Sequence, residues 1–188
     1  MKNPCLDGME VAIPMTNPEL LRVDREPVTE PAWIFSYTAT GPQLDWEWAH
    51  KRLRESKNFW LTTKALDGRP HTRPVWGFWL QDSLWFSTTN RSVAYMEADN
   101  NVTVHTESGD EVVIVEGRCE RLYGKDKLQV ISDNYREHFS HETVATDEGV
   151  FTPQGYGGPG FRIIPTKVLG WNAPFFNTAT RWVFPESD

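Results

Sequence analysis

Cysteine is scarce in this sequence, with only Cys5 and Cys119 among 188 residues. Two distant thiols match no metal-ligand spacing and make no disulfide framework, so both are expected to be reduced. Basic charge is also short: Lys+Arg 19 stand against Asp+Glu 26, for a net charge of −7. Without a basic surplus to displace counterions from a phosphate backbone, nonspecific nucleic-acid binding is excluded. No run approaches the ~20 apolar residues of a membrane span, and no apolar stretch of signal-peptide type opens the chain. The expectation is a soluble, cytoplasmic protein without a membrane or nucleic-acid partner.

Familiar catalytic patterns are missing too. There is no GxSxG elbow and no P-loop. The run QGYGGPG, residues 154–160, is rich in glycine but does not follow a strand and open a helix as a dinucleotide-binding turn does. His138 and His141 stand three apart on an expected helix with no third ligand near, which reads as two solvated polar residues and no metal site.

What is present is aromatic, with 9 Trp, 10 Phe and 5 Tyr. The stretch DGRPHTRPVWGFW, residues 67–79, concentrates the problem. It reads as a turn and a strand, yet both alternating sets carry large or special residues: Arg73, Val75, Gly77, Trp79 on one side, Pro74, Trp76, Phe78, Leu80 on the other. Both faces of this strand need a cover.

Residues 1–43 are broken by Pro4, Pro14, Pro18, Pro27, Pro31 and Pro42 and read as a Pro-rich N-terminal arm. Residues 44–188 carry the domain. Asp45 is placed to cap a helix running to about Ser56 with Trp46, Ala49 and Leu53 on one stripe. Strands follow at 59–66, through the stretch 67–79, and at 83–88; a short helix covers 93–98 before strands 102–107 and 111–122. A second long helix spans Lys125 to about Phe139, then a Gly/Pro-rich loop leads to FRII, VLGW and RWVF as closing strands. Short strands joined by hairpins, with few helices, predict a small antiparallel barrel that is mainly β.

The loop STTNRS, residues 87–92, offers Ser87, Thr88, Thr89, Asn90, Arg91 and Ser92 where a strand enters a helix, a setting that favours phosphate. Arg73 is placed to add a second charge. The competing reading is an ordinary polar connection capped by Asn90 or Thr89. His71 and His105 lie on strands as cleft or structural histidines. Trp76, Trp79, Trp171 and Trp182 fall on strands, as core or as walls for a flat conjugated ligand.

The runs FWLTTKALDGRPHTRPVWGFWL, LWFSTTNRS, VTVHTESGDEVVIVEGRCERL and TRWVF together resemble the FMN-binding split-barrel superfamily, which includes pyridoxamine 5′-phosphate oxidase-like proteins and deazaflavin (F420)-dependent reductases. The resemblance covers about residues 45–184. It implies a six-stranded antiparallel split β-barrel, a homodimer, and FMN or F420 held where two subunits meet. Arg73, Val75, Trp76, Ser87 and Thr88 match the family's cofactor-binding positions, and Arg181 and Trp182 its substrate side. His71 and Trp171 join them as substrate-side candidates, with His71 as the proton donor to test. Where relatives carry basic residues, this sequence has Phe78, Ser92 and Val93. The implied function is a hydride-transferring oxidoreductase acting on a small conjugated substrate. The alternative is a non-redox barrel that binds haem or a tetrapyrrole, or one that catalyses a cofactor-independent reaction.

Overall fold

The computed structural model describes residues 26–34 and 37–185, so Cys5 and the first part of the leader lie outside the described residues. Three turns set the hairpins. Gly68 adopts φ +85° between β4 (Asn58–Lys64) and β5 (Pro70–Leu80), where Asp67 accepts the Arg69 backbone N–H. Gln81 and Asp82, at φ +50° and +48°, form the two-residue connection from β5 to β6 (Ser83–Ser87), the turn geometry that matches strand twist. The Ser108 hydroxyl accepts the Asp110 and Glu111 N–H groups between β7 (Asn101–His105) and β8 (Glu111–Leu122).

These strands, with β12 (Gly160–Asn172), close in the order β12, β6, β5, β4, β7, β8 and back to β12, which makes a six-stranded antiparallel barrel. The split lies in β12. Its first half pairs with β6 at Gly160 to Ile163, and its second half leaves β6 for β13 (Phe175–Val183) from Lys167 onward, while β8 pairs along its whole length. FRII and VLGW are therefore one strand and not two. Pro165 sits at the bulge where β12 changes neighbours, a place where a missing N–H breaks no ladder.

β1 (Val28–Pro31) extends the sheet by pairing with β13, and β2 (Trp33–Ile34) pairs with β3 (Tyr37–Thr38). The helices are α1 (Trp46–Glu55), α2 (Ser92–Ala98) and α3 (Lys125–Phe139). None of the described helices is long and apolar enough to cross a membrane. The Gly/Pro-rich loop is more ordered than its composition indicates: β9 (Val144–Ala145), β10 (Val150–Phe151) and β11 (Gly157–Gly158) form a small sheet against α3.

The core has two compartments, and they answer the question raised by β5. Val75 and Trp79 point into the barrel with Phe59, Leu61 and Phe86, and α1 covers them with Ala49 and Leu53. Phe78 points outward into a second cluster with Trp85, Leu122, Leu128 and Ile131, beneath α3. β5 and β6 thus bury side chains on both faces because a helix packs on the outside of the barrel wall.

Candidate functional site

Where β5 and β6 part, the second compartment opens into a cleft. The last registered pair is Gly77 with Phe86; one step further, Trp76 and Ser87 no longer share a ladder rung. The Tyr135 hydroxyl stands between them. It accepts the Ser87 backbone N–H at 2.8 Å and lies 3.3 Å from the Trp76 carbonyl oxygen and 3.4 Å from that of Ser87, either of which takes its proton. A side chain from α3 replaces the missing rung, and the two strands are held apart at the cleft.

The cavity between them has a volume of about 340 Å³, at the small end of ligand sites. One wall is Pro74, Val75 and Trp76; the floor is Ser87, Thr88 and Thr89; the other wall comes from the segment after α3, with His141, Thr143, Tyr156 and Gly158. Ser132 inside α3 donates to the Thr143 carbonyl at 2.9 Å, which fastens that wall to the helix. Gly158 meets the floor directly: its carbonyl accepts the Ser87 hydroxyl at 3.1 Å, and a Cβ on it would lie 2.4 Å from the Thr88 carbonyl oxygen. Only glycine allows that approach.

Trp76 is 46% exposed in spite of its size. Phe139 stacks on it at 4.9 Å and 23°, and the His141 ring meets it edge-on at 5.5 Å. No Asp, Glu, Lys or Arg lines the cavity among the described residues. Burial pushes the Tyr135 pKa up to about 12, because it strips the phenolate of solvation that the neutral phenol does not need. The folded value lies above the ~10 of an unfolded chain, so this group's contribution to stability is complete below pH ~10 and declines as pH rises toward the folded value. Urea denaturation from pH 9 to 12 is expected to show a steeper alkaline loss in wild type than in Tyr135→Phe. Equal slopes would remove Tyr135 from the titrating groups that matter.

The residues expected from sequence fall into three sets. Val75, Trp76, Ser87, Thr88 and Thr89 meet around the cavity. Arg73 and Arg91 are exposed and stand just outside it in sequence, beside Pro74 and two residues beyond Thr89; neither has a carboxylate partner among the described residues, and Arg73 reaches only the Thr72 carbonyl, at 3.3 Å. Asn90 acts as a cap, its side-chain oxygen accepting the Ser92 N–H at 2.7 Å and its carbonyl the Val93 N–H. Ser92 is buried, and its hydroxyl faces His71 Nδ1 at 3.4 Å.

The third set lies elsewhere. His71 packs edge-on to Tyr95 at 5.1 Å beneath α2 and does not line the cavity. His105 Nδ1 hydrogen-bonds the Thr106 carbonyl, a structural role. Trp171 packs beside Ala32, Ala39 and Ala179 at the far end of β12, and Arg181 pairs with Glu30 at 2.6 Å. Trp182 is fully buried in the barrel core, where Trp46 meets it edge-on at 5.6 Å.

Sequence reading missed Tyr135, Thr143, Tyr156 and Gly158, and it took His141 for a solvated helix residue. α3 in fact ends at Phe139, and Ser140 at φ +51° turns His141 back toward Trp76. One signal was available. Leu128, Ile131 and Tyr135 form the buried stripe of α3, and a tyrosine on such a stripe needs a partner for its hydroxyl.

Residues 47–173 match the family described as Pyridoxamine 5′-phosphate oxidase. No curated protein sequence matches the chain. Among solved structures, it is similar to an FAD-binding protein from Mesorhizobium loti at 21% identity, with 74% of this chain and 96% of that one covered and a TM-score of 0.52. A conserved hypothetical protein from Mycobacterium tuberculosis is similar at 17% identity, with 79% and 96% covered and a TM-score of 0.58. A protein related to general stress protein 26, of the pyridoxinephosphate oxidase family, from Clostridium acetobutylicum follows at 12% identity, with 69% and 92% covered and a TM-score of 0.52. At these identities the likeness shows the fold.

Proposed function

Because the chain belongs to the pyridoxamine 5′-phosphate oxidase family, we propose that it is an oxidoreductase that holds FMN or F420 in the cleft between β5 and β6 and acts on a small conjugated substrate. The observation that carries this reading is a neutral cavity lined by the hydroxyls of Ser87, Thr88 and Thr89, bordered in sequence by two guanidinium groups that no carboxylate neutralises among the described residues. That donor set fits a planar ring carrying a phosphate. The backbone at Val75 and the Trp76 side chain flank the ring, Ser87, Thr88 and Thr89 bond its polar edge, and Arg73 and Arg91 take the phosphate in place of the basic residues that relatives have at Ser92 and Val93. When bound, the ring supplies the hydride chemistry; the chain binds it, orients it and keeps water away. The protein acts as a cytoplasmic homodimer, in which Trp171 and Arg181 serve the partner's site.

A second reading is favoured by the uncharged lining and by Phe78, which fills a position that is basic in relatives: a non-redox barrel that binds haem or a tetrapyrrole, or one with a cofactor-independent activity. Titration of the cofactor-free protein with FMN, F420 and haem separates the two. The double variant Arg73→Ala, Arg91→Ala is expected to lower affinity for FMN or F420 by ~10- to 100-fold, the loss of one or two charge-assisted hydrogen bonds. Its thermal melting stays unchanged, since both side chains are exposed. Unchanged affinity would remove the phosphate assignment, and haem binding in place of FMN and F420 would establish the second reading.

A further inference from the structure

We propose that the Tyr135 hydroxyl is a spacer that keeps the cleft open: without it the ladder between β5 and β6 advances by one rung, and the room for a ring is lost. Tyr135 is then a positioning residue, and its role rests on the reading that the cleft is the ligand site. Backbone direction, strand continuity and the placement of the hydroxyl lead to it.

The two-residue turn at Gln81 and Asp82 makes Leu80 and Ser83 a hydrogen-bonded pair, and every second pair along the ladder is then hydrogen-bonded as well. Phe78 with Trp85 is the next. Beyond Gly77 and Phe86, where the register ends, the following one would be Trp76 with Ser87. Contacts on the outer sides of both strands agree. The Gly77 N–H donates to the Lys57 carbonyl at 3.1 Å on the β4 side, and the Thr88 N–H donates to the Pro159 carbonyl at 3.3 Å on the β12 side. The backbone groups of Trp76 and Ser87, one residue away from each, therefore point toward one another.

Neither strand stops at this rung. β5 runs back to Pro70 in register with β4, with Asn58 opposite Trp76, and Ser87 keeps its place opposite Gly160 of β12. No proline or glycine stands at either position, and the first local barrier is Pro74, which has no N–H to give to a ladder. What occupies the place of the rung is one oxygen. The Tyr135 hydroxyl lies 2.8 Å from the Ser87 nitrogen, 3.3 Å from the Trp76 carbonyl oxygen and 3.4 Å from that of Ser87. Its side chain is only 6% exposed and is held from behind, where Leu128 and Ile131 of α3 share its core cluster and the Phe139 ring meets it edge-on at 5.6 Å. The hydroxyl cannot withdraw unless α3 moves, so the docking of this helix sets the width of the cleft.

The crystal structure of Tyr135→Phe, with thermal melting and calorimetric titration of the full chain, tests this. The variant is expected to form a hydrogen bond of about 2.9 Å from the Ser87 N–H to the Trp76 carbonyl, with α3 still in place. Because the freed N–H regains a partner, the melting temperature stays within about 2 °C of wild type, whereas a buried N–H left without one lowers it by more than about 4 °C. Affinity for whichever of FMN, F420 and haem the wild type binds falls at least tenfold. Ser132→Ala is the comparison: it removes the bond that fastens the far wall to α3 and leaves the Tyr135 hydroxyl untouched, so the rung stays open. An unchanged separation of Trp76 and Ser87 in Tyr135→Phe, a melting temperature lowered by more than about 4 °C, unchanged affinity for a ligand that the wild type binds, or a rung that also forms in Ser132→Ala would overturn the inference. Where the wild type binds none of the three ligands, the reading of the cleft as a ligand site fails, and the structure of Tyr135→Phe still decides whether the hydroxyl is a spacer.

Discussion

Gly158→Ala is expected to lower cofactor affinity at least 100-fold and to cost about 1–3 kcal/mol of stability, the range for forcing an extra methyl into packed structure. The added Cβ would lie 2.4 Å from the Thr88 carbonyl oxygen and 3.0 Å from the Thr89 Cβ. Neither is the free end of a flexible side chain, so β11 must move away from the cavity floor. That movement breaks the hydrogen bond from the Ser87 hydroxyl to the Gly158 carbonyl and the one from the Thr88 N–H to the Pro159 carbonyl at 3.3 Å. The floor and the far wall then separate, and the ligand loses one side of its site. Gly109→Ala is the control, because nothing lies within 4 Å of the Cβ it would add and no positive φ is involved. Calorimetric titration and thermal melting of both variants provide the check. Retained affinity in Gly158→Ala would show that the contact between β11 and the floor is incidental to binding.

Trp182→Ala is expected to be the most destabilising single change, at about 3–5 kcal/mol, the cost of deleting a large aromatic from a core. The side chain is fully buried, Trp46 meets its ring edge-on, and Gly170 on β12 leaves it room, since a Cβ there would come within 2.9 Å of Trp182 Cζ3. For a chain of this size the melting temperature falls by about 10 °C. Trp182→Phe keeps most of the apolar volume and removes an indole N–H that has no hydrogen-bond partner, so it loses much less. If Trp182→Ala melts like wild type and instead loses substrate turnover, the residue belongs to the site and not to the core.

These two residues also mark the limits of reading the sequence. The doubled burial of β5 was legible because period-two alternation with large residues on both faces has few explanations, and Phe78 and Trp79 confirm it in separate compartments. The helix bounds of α3 were legible from its stripe and from the turn residues at each end. Pro165 misled, because a proline inside a strand is tolerated only at a bulge, and the bulge depends on β12 leaving β6 for β13, a tertiary event with no local signature.

The site was half legible for a similar reason. Ser87 to Thr89 and Val75 to Trp76 are neighbours along one hairpin, so their meeting is set by the local turn at Gln81 and Asp82. Tyr135, His141, Tyr156 and Gly158 arrive from a later segment, and only the packing of α3 on the second core compartment brings them to the same place. Trp182 reads equally well as wall or core from sequence; the bulk of α1 above it decides for core.

Whether the cleft holds a cofactor is read from the visible absorption spectrum of the full chain purified from a host that makes both FMN and F420, with mass spectrometry of whatever is released on denaturation. The expected result is a flavin or deazaflavin bound at about one per chain and lost in Gly158→Ala. A colourless protein that also fails to take up added FMN or F420 would contradict it.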